Sequence, residues 1–229
     1  MSQLPRGEIV DPVEVPTSLR AITLTGRDVT LRPPESPDAE PLYRNTHGNS
    51  DRESVWTYMG YGPWAKLEDF KTWVEERPAS TDPLWSTVRS NHTRQPIGMA
   101  MILNVDLVNR RLELGHIWYI PEAQRTTANT EATYLLLDEA FGHYRSRRVE
   151  WKCDSLNEKS RRAALRLGFS FEGIFRNHMV VKGRNRDTAW FSMTDQEWPA
   201  CRASLQTRLE RIRAQTEEGP RWPGPSSIR

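Results

Sequence analysis

Residue types and spacing first point to chemistry between Glu113 and Ala140, ELGHIWYIPEAQRTTANTEATYLLLDEA. An alternating strand stops at Pro121, a loop with no acid after Glu122 follows, and helical periodicity sets in near Asn129 and Thr130. A helix opening there aims unpaired backbone N–H groups and the positive end of its dipole out of the sheet, an arrangement that holds phosphate. A plain helix cap at Asn129 or Thr130, with Arg125 in solvent, fits the same residues. Glu113 alternates with Leu112 and Leu114, so its carboxylate faces away from both leucines. It either takes protons or pairs with an Arg such as Arg111. His116 falls on the leucines' side of a regular strand, and only a bulge near Gly115 brings it towards Glu113.

A second cluster is aromatic: Trp56, Tyr58, Tyr61 and Trp64 within WTYMGYGPW. Such rings can line a pocket for an amine through apolar walls and cation–π contact, or form core beneath a loop. His116, His143 and His178 stand alone, with no Cys or His at zinc spacing, and no G-x-G-x-x-G follows a strand. No metal and no nucleotide redox cofactor is therefore expected.

The elements that must position these groups follow from periodicity. Residues 28–32 (DVTLR) suit a first strand. Ser36 or Asp38 caps a helix to about His47, and 67–78 (LEDFKTWVEERP) is a second amphipathic helix stopped by its proline. Residues 84–90, 96–106 and 111–120 form an antiparallel meander. A helix from Thr130, a strand at 148–154, a short helix ended by Gly168 and a final pair of strands complete an α+β, three-layer domain with one mixed sheet. The expected division is an N-terminal arm over 1–25, a domain over 26–195, and a C-terminal helix and irregular tail over 196–229.

The composition limits the partners. The 229 residues carry 32 Lys plus Arg against 30 Asp plus Glu, a net charge of +2 from interleaved signs, which argues against nucleic acid as main partner. No run approaches the roughly 20 apolar residues of a membrane span. The N-terminus has acids and prolines where a signal peptide is apolar, and Cys153 and Cys201 lie far apart, so a reduced, cytoplasmic setting is expected.

Over roughly Asp28 to Met193 the chain resembles the GNAT acetyltransferase superfamily, and within it the RimJ/RimL-type N-acetyltransferases. The pieces, in family order, are Glu113-Leu-Gly115, Pro121, Gln124-Arg-Thr-Thr127-Ala-Asn129, Asp154-x-x-Asn157-x-x-Ser160, Leu167-Gly168-Phe169 and Glu172-Gly173. The family's phosphate loop reads Gln or Arg, any two residues, Gly, any residue, then Gly or Ala. Gln124 fits, while Thr127 and Asn129 replace the small residues. Asn129 tolerates a left-handed backbone, whereas β-branched Thr127 requires a helical or extended one.

The resemblance implies a GNAT-like, mostly antiparallel sheet and an enzyme that moves an acetyl group from acetyl-CoA to a primary amine by direct attack in a ternary complex. Ile120, Gln124, Arg125, Thr126, Thr127, Ala128, Asn129 and Thr130 are the expected donor-binding turn, with Asn157 on the pantetheine arm and Arg161 near a phosphate. Glu113 is implied as the base. Ser160 is implied as proton donor to the thiolate, because the Tyr many members carry is Ala164 here. Trp56, Tyr58, Tyr61, His116, Trp118 and His178 are the expected acceptor residues. The acceptor is a small amine or a protein N-terminus, and a homodimer through the C-terminal arm or a strand edge is compatible with the pattern. The alternative is a catalytically inactive acyl-CoA-binding or protein-interaction domain of the same fold.

Overall fold

The computed structural model describes residues 4–217. Eight strands form one sheet: β1 (Leu24–Thr25), β2 (Val29–Arg32), β3 (Leu84–Ser90), β4 (Pro96–Asp106), β5 (Arg111–Tyr119), β6 (Arg148–Asp154), β7 (Ser170–Val181) and β8 (Arg184–Thr194). Their order across the sheet is β1-β2-β3-β4-β5-β6-β8-β7. Every pairing is antiparallel except that of β5 with β6. The helices are α1 (Ala39–Thr46), α2 (Ser50–Glu53), α3 (Leu67–Glu75), α4 (Ala128–Gly142), α5 (Glu158–Arg166) and α6 (Trp198–Glu217). The mixed α+β sheet matches the architecture expected from sequence.

The meander strands fall where their apolar runs and polar connections place them. Pro96 to Ile102 of β4 are all buried, as a central strand covered on both faces requires. Gly168, at φ +94°, ends α5 as the expected left-handed glycine. Two elements escape the sequence reading. The short edge strand β1 is held by β2, and α2 is a single turn capped by Asn49, whose side chain accepts from Arg52 N. The tail from residue 218 lies outside the described residues.

The fold's most connected ion is Glu131, in the first turn of α4. Its carboxylate accepts from the backbone N–H groups of Arg27, Asp28 and Val29 at 2.9, 2.6 and 2.8 Å and from the Arg213 guanidinium of α6. Arg213 also donates to Asp28 at 3.0 Å. Gly26 makes this approach feasible, since a Cβ there would lie 2.5 Å from Glu131 Cδ. One carboxylate thus ties the start of β2, the C-terminal helix and α4 together. Replacing Glu131 by Ala leaves three N–H groups without their acceptor and Arg213 with Asp28 alone. The expected loss is on the order of 4 kcal/mol, read from urea unfolding.

Candidate active site

β5 and β6 run parallel and paired only from Arg111–Arg148 to Leu114–Trp151. Beyond that point they part, and the opening is the main cleft, enclosing about 600 Å³ that is continuous with solvent. Glu113, Gly115, His116 and Ile117 of β5 face Trp151 to Asp154 of β6 across it, with Asn157 and Ser160 of α5 on one side and Tyr58 to Gly60 and Arg186 on another.

The parting coincides with a bulge. β5 pairs with β4 through Trp118–Met99 and Gly115–Met101, so His116 and Ile117 together oppose Ala100. His116 adopts φ +48°, a strained value for a residue with a side chain. This is the distortion the sequence required if Glu113 and His116 were to meet, and both line the cleft. Gly115 is needed for the fit: a Cβ there would lie 2.8 Å from Leu103 Cδ2 and 3.3 Å from Glu113 Oε1.

The Glu113 carboxylate is buried and held. Asn104 Nδ2 donates to it at 2.7 Å, and Lys152 Nζ lies 2.9 Å away. The same ammonium is 2.9 Å from Glu150 and 3.8 Å above the Trp190 ring. Burial works against ionisation of Glu150, but hydrogen bonds from Lys152 and Arg148 outweigh it and hold its pKa below the usual carboxylate value. Lys152 thus lies between the two carboxylates, and Glu150 has a second cation in Arg148, whose Nε is 2.9 Å away. Glu113 does not pair with Arg111, whose partner is Asp106.

His116 stacks on Tyr61 with ring centroids 5.4 Å apart, and its Nδ1 is 3.2 Å from the Tyr61 hydroxyl. Burial pushes the Tyr61 phenol up, so it stays protonated. His116 Nδ1 thus has a phenolic partner while the ring lines the cleft.

Ser160 and Asn157 show why spacing alone left their roles open. The Asn157 side chain accepts from Ser160 N at 3.1 Å, so it caps α5 while lining the cleft. The Trp151 indole donates to Ser160 Oγ at 3.0 Å, which leaves the Ser160 O–H to donate elsewhere. The Cys153 sulfur is its neighbour, and burial raises the Cys153 pKa despite that hydrogen bond.

The expected donor turn follows β5 directly. Its left-handed residue is Arg125, at φ +63°, and not Asn129, which lies inside α4. Thr127, at φ −66° and ψ −20°, has the helical backbone expected of a β-branched residue and is the N-cap, so α4 starts two residues before Thr130. Neither Asn129 nor Thr130 caps the helix. Thr126 Oγ1 accepts from Ala128 N at 3.2 Å and donates to Ala123 O at 2.8 Å. Glu131 N goes to Thr127 O, while among the described residues nothing accepts from Asn129 N or Thr130 N. Gln124 and Arg125 are exposed and Ile120 is buried. Arg161 donates to Ser155 O at 3.3 Å, with Phe171 alongside, and does not line the cleft.

The aromatic cluster divides. Trp56 and Trp118 are core, 0% and 4% exposed, with rings 4.8 Å apart and the Trp56 indole donating to Thr46 O at 3.0 Å. Neither lines the cleft, where both were expected among the acceptor residues. Tyr58 does line it, with its hydroxyl on Leu156 O at 3.2 Å. Tyr61 acts behind His116. His178 is on the outer strand β7, 2.9 Å from Thr188 Oγ1, and outside the cleft. Sequence reading missed Lys152 and Arg186, ordinary strand cations in sequence that become cleft residues only through the β5-β6 and β8 registers.

The family model for the acetyltransferase (GNAT) domain matches residues 28–170, more than half of the chain. The chain belongs to the GNAT acetyltransferases. It is 38% identical to a GCN5-related N-acetyltransferase from Brucella melitensis, with a TM-score of 0.81 over 86% of this chain and 89% of that one. YdaF of Bacillus subtilis (strain 168), named provisionally as a ribosomal N-acetyltransferase, is 28% identical over 186 residues, 74% of this chain and 93% of YdaF. That relative agrees with the RimJ/RimL-type resemblance. The microcin C7 self-immunity acetyltransferase MccE, solved in complex with acetyl-CoA and AMP, shares the fold at 22% identity and a TM-score of 0.63, over 74% of this chain and 93% of MccE. This acetyltransferase thus has Glu113 in the lining of the cleft that opens where β5 and β6 part.

Burial, with Arg186 adding to it, depresses the His116 pKa from 6.5 to about 4. The unfolded chain binds a proton below pH 6.5 that the folded chain refuses until about pH 4. Stability from this residue is therefore intact above pH 6.5 and lost as pH falls to 4, on the order of 3 kcal/mol in total. Thermal unfolding across that range should show a shallower acid loss for His116→Gln than for the unaltered protein.

Proposed function

We propose that the enzyme transfers the acetyl group of acetyl-CoA directly to a primary amine in a ternary complex. The observation that carries this reading is the cleft opened by the parting of β5 and β6, with an anionic group at Glu113 and a hydroxyl at Ser160 beside it. The unpartnered N–H groups of Asn129 and Thr130 and the dipole end of α4 suit the donor's pyrophosphate at the end of β5. The acetyl-CoA held by MccE supports the choice of donor.

In this mechanism the acceptor ammonium enters the cleft beside Glu113, which takes its proton directly or through water. The free amine attacks the thioester carbonyl. Backbone N–H groups at the His116–Ile117 bulge, where the ladder is interrupted, stabilise the developing oxyanion. As the C–S bond breaks, Ser160 gives its proton to the thiolate and takes the second proton of the attacking nitrogen through water. Its O–H is not used by Trp151 and already faces a sulfur neighbour. Cys153 is a poor covalent relay, because burial holds its thiol protonated. Direct transfer therefore fits better than an acetyl-cysteine intermediate.

The ribosomal assignment carried by YdaF's name makes a protein N-terminus the first acceptor class to test, with small amines second. Such an acceptor places the enzyme in the cytoplasm. Glu113→Gln is expected to lower kcat about a hundredfold or more, the usual worth of a positioned base, while the acetyl-CoA Kd stays within about threefold. Calorimetric titration with acetyl-CoA and pantetheine, alongside thiol-release kinetics, reads both quantities. Donor binding that is equally strong without the pyrophosphate, or no donor binding, contradicts the reading.

A further inference from the structure

Arg186, near the start of β8, brings a cation into the cleft that no protein group neutralises. Its Nε is buried without a hydrogen-bond partner, and among the described residues its guanidinium has neither an ion pair nor a hydrogen bond. The nearest sequence candidate, Asp187, points to the other face of the strand, where Asn177 N and Asn185 Nδ2 bind it at 2.7 and 3.0 Å. The two acids lining the cleft are also engaged: Glu113 by Asn104 and Lys152, and Asp154 by Leu156 N at 2.9 Å. The cation nonetheless acts on the site, since its charge contributes to the depressed basicity of His116.

Arg186 is held in place by its hairpin. Lys182, at the tip of β7-β8, donates to Trp56 O at 2.8 Å, which fastens the hairpin to the segment leading into Tyr58 to Gly60. Those residues line the same cleft. A partly buried guanidinium with an orphan N–H is costly in the empty protein, and an anion supplied by a ligand removes that cost. The donor is a poor source of this anion. Its thioester and pantetheine arm are uncharged, and its phosphates fit the turn beyond the far end of β5.

We infer that Arg186 is the acceptor-selecting residue of this acetyltransferase and binds a carboxylate carried by the amine substrate. The inference rests on the acetyl-transfer reading above and names its substrate class: an acceptor with a cationic amine for the Glu113 end and a carboxylate for the Arg186 end. That carboxylate is either the α-carboxylate of a free amino acid or an acidic side chain next to a peptide's N-terminal residue. The site then carries opposite charges for opposite ends of one substrate, which fixes orientation as well as affinity.

The experiment compares matched acceptors with the unaltered enzyme, Arg186→Gln and Arg186→Lys: free amino acids against their amides, and short peptides starting Ser-Glu against Ser-Gln. Thiol release gives kcat/KM. Carboxylate-bearing acceptors should be preferred, and Arg186→Gln should lower kcat/KM for them by about tenfold to a hundredfold, the worth of a charge-assisted hydrogen bond. Their neutral counterparts and the acetyl-CoA Kd should be unchanged, and Arg186→Lys should restore part of the loss. Preference for the amino acid over its amide identifies the α-carboxylate. Preference for Ser-Glu over Ser-Gln identifies the side chain.

Equal use of charged and neutral acceptors, or an equal loss for both in Arg186→Gln, overturns the inference while leaving acetyl transfer intact. If no amine is acetylated, calorimetry with succinate in the presence of CoA tests the anion site separately. Binding that disappears in Arg186→Gln supports it, and no binding, or binding that survives the substitution, overturns it.

Discussion

Two parallel strands that stay paired would leave no room for a substrate between them, and β5 and β6 stay paired for only four residues. The bulge at His116 and Ile117 takes β5 out of register with β4 at the point where it leaves β6. The backbone strain at His116 is therefore coupled to the opening of the cleft. Gly115 permits it by leaving room for the Glu113 carboxylate and Leu103. The surrounding aromatic core of Trp56, Trp64, Phe70, Trp73 and Trp85 keeps the distortion from relaxing, because Tyr61 and Trp85 both pack on the His116 ring.

Electrostatics complete what the backbone begins. Lys152 is shared between Glu113 and Glu150, and Asn104 gives the buried Glu113 carboxylate a second donor. In the lining of the same cleft, Arg186 has no ion pair or hydrogen bond among the described residues. In the proposed reading this polarity orients an acceptor between a proton-taking carboxylate and an anion-binding guanidinium. In the same reading the donor enters from the α4 end, where the N–H groups of Asn129 and Thr130 have no acceptor among the described residues. Structural cohesion lies elsewhere, in the Glu131 and Arg213 junction.

Much of the architecture was legible because periodicity reports burial. The meander, β6, α5 with Gly168 and the final hairpin each had an unambiguous pattern. Boundaries at α4 were less so, since Ala128 and Asn129 look like loop residues and Thr127 caps through backbone geometry without a side-chain bond. Glu113 could be singled out by alternation beside a turn, but its partner could not. Lys152 meets it through the parallel register that sets Glu113 beside Glu150, 37 positions on, for which no local signal exists. Trp56 and Tyr58 are two residues apart in one aromatic run, yet one is core and the other lines the cleft. Composition cannot separate them, because what differs is the path of an irregular segment. Arg186 was illegible for a related reason: an Arg near the start of a hairpin strand reads as a solvated charge until the fold places it in the lining of the cleft.

The account depends on the donor lying in the parted strands, so the most direct measurement is a crystal structure of the protein with CoA. It predicts the pyrophosphate against the N–H groups of Asn129 and Thr130, the pantetheine arm between β5 and β6 beside Asn157, and the sulfur at Ser160 near the His116–Ile117 bulge. A CoA bound outside the cleft, or a sulfur remote from Ser160 and Glu113, would contradict the account at its centre.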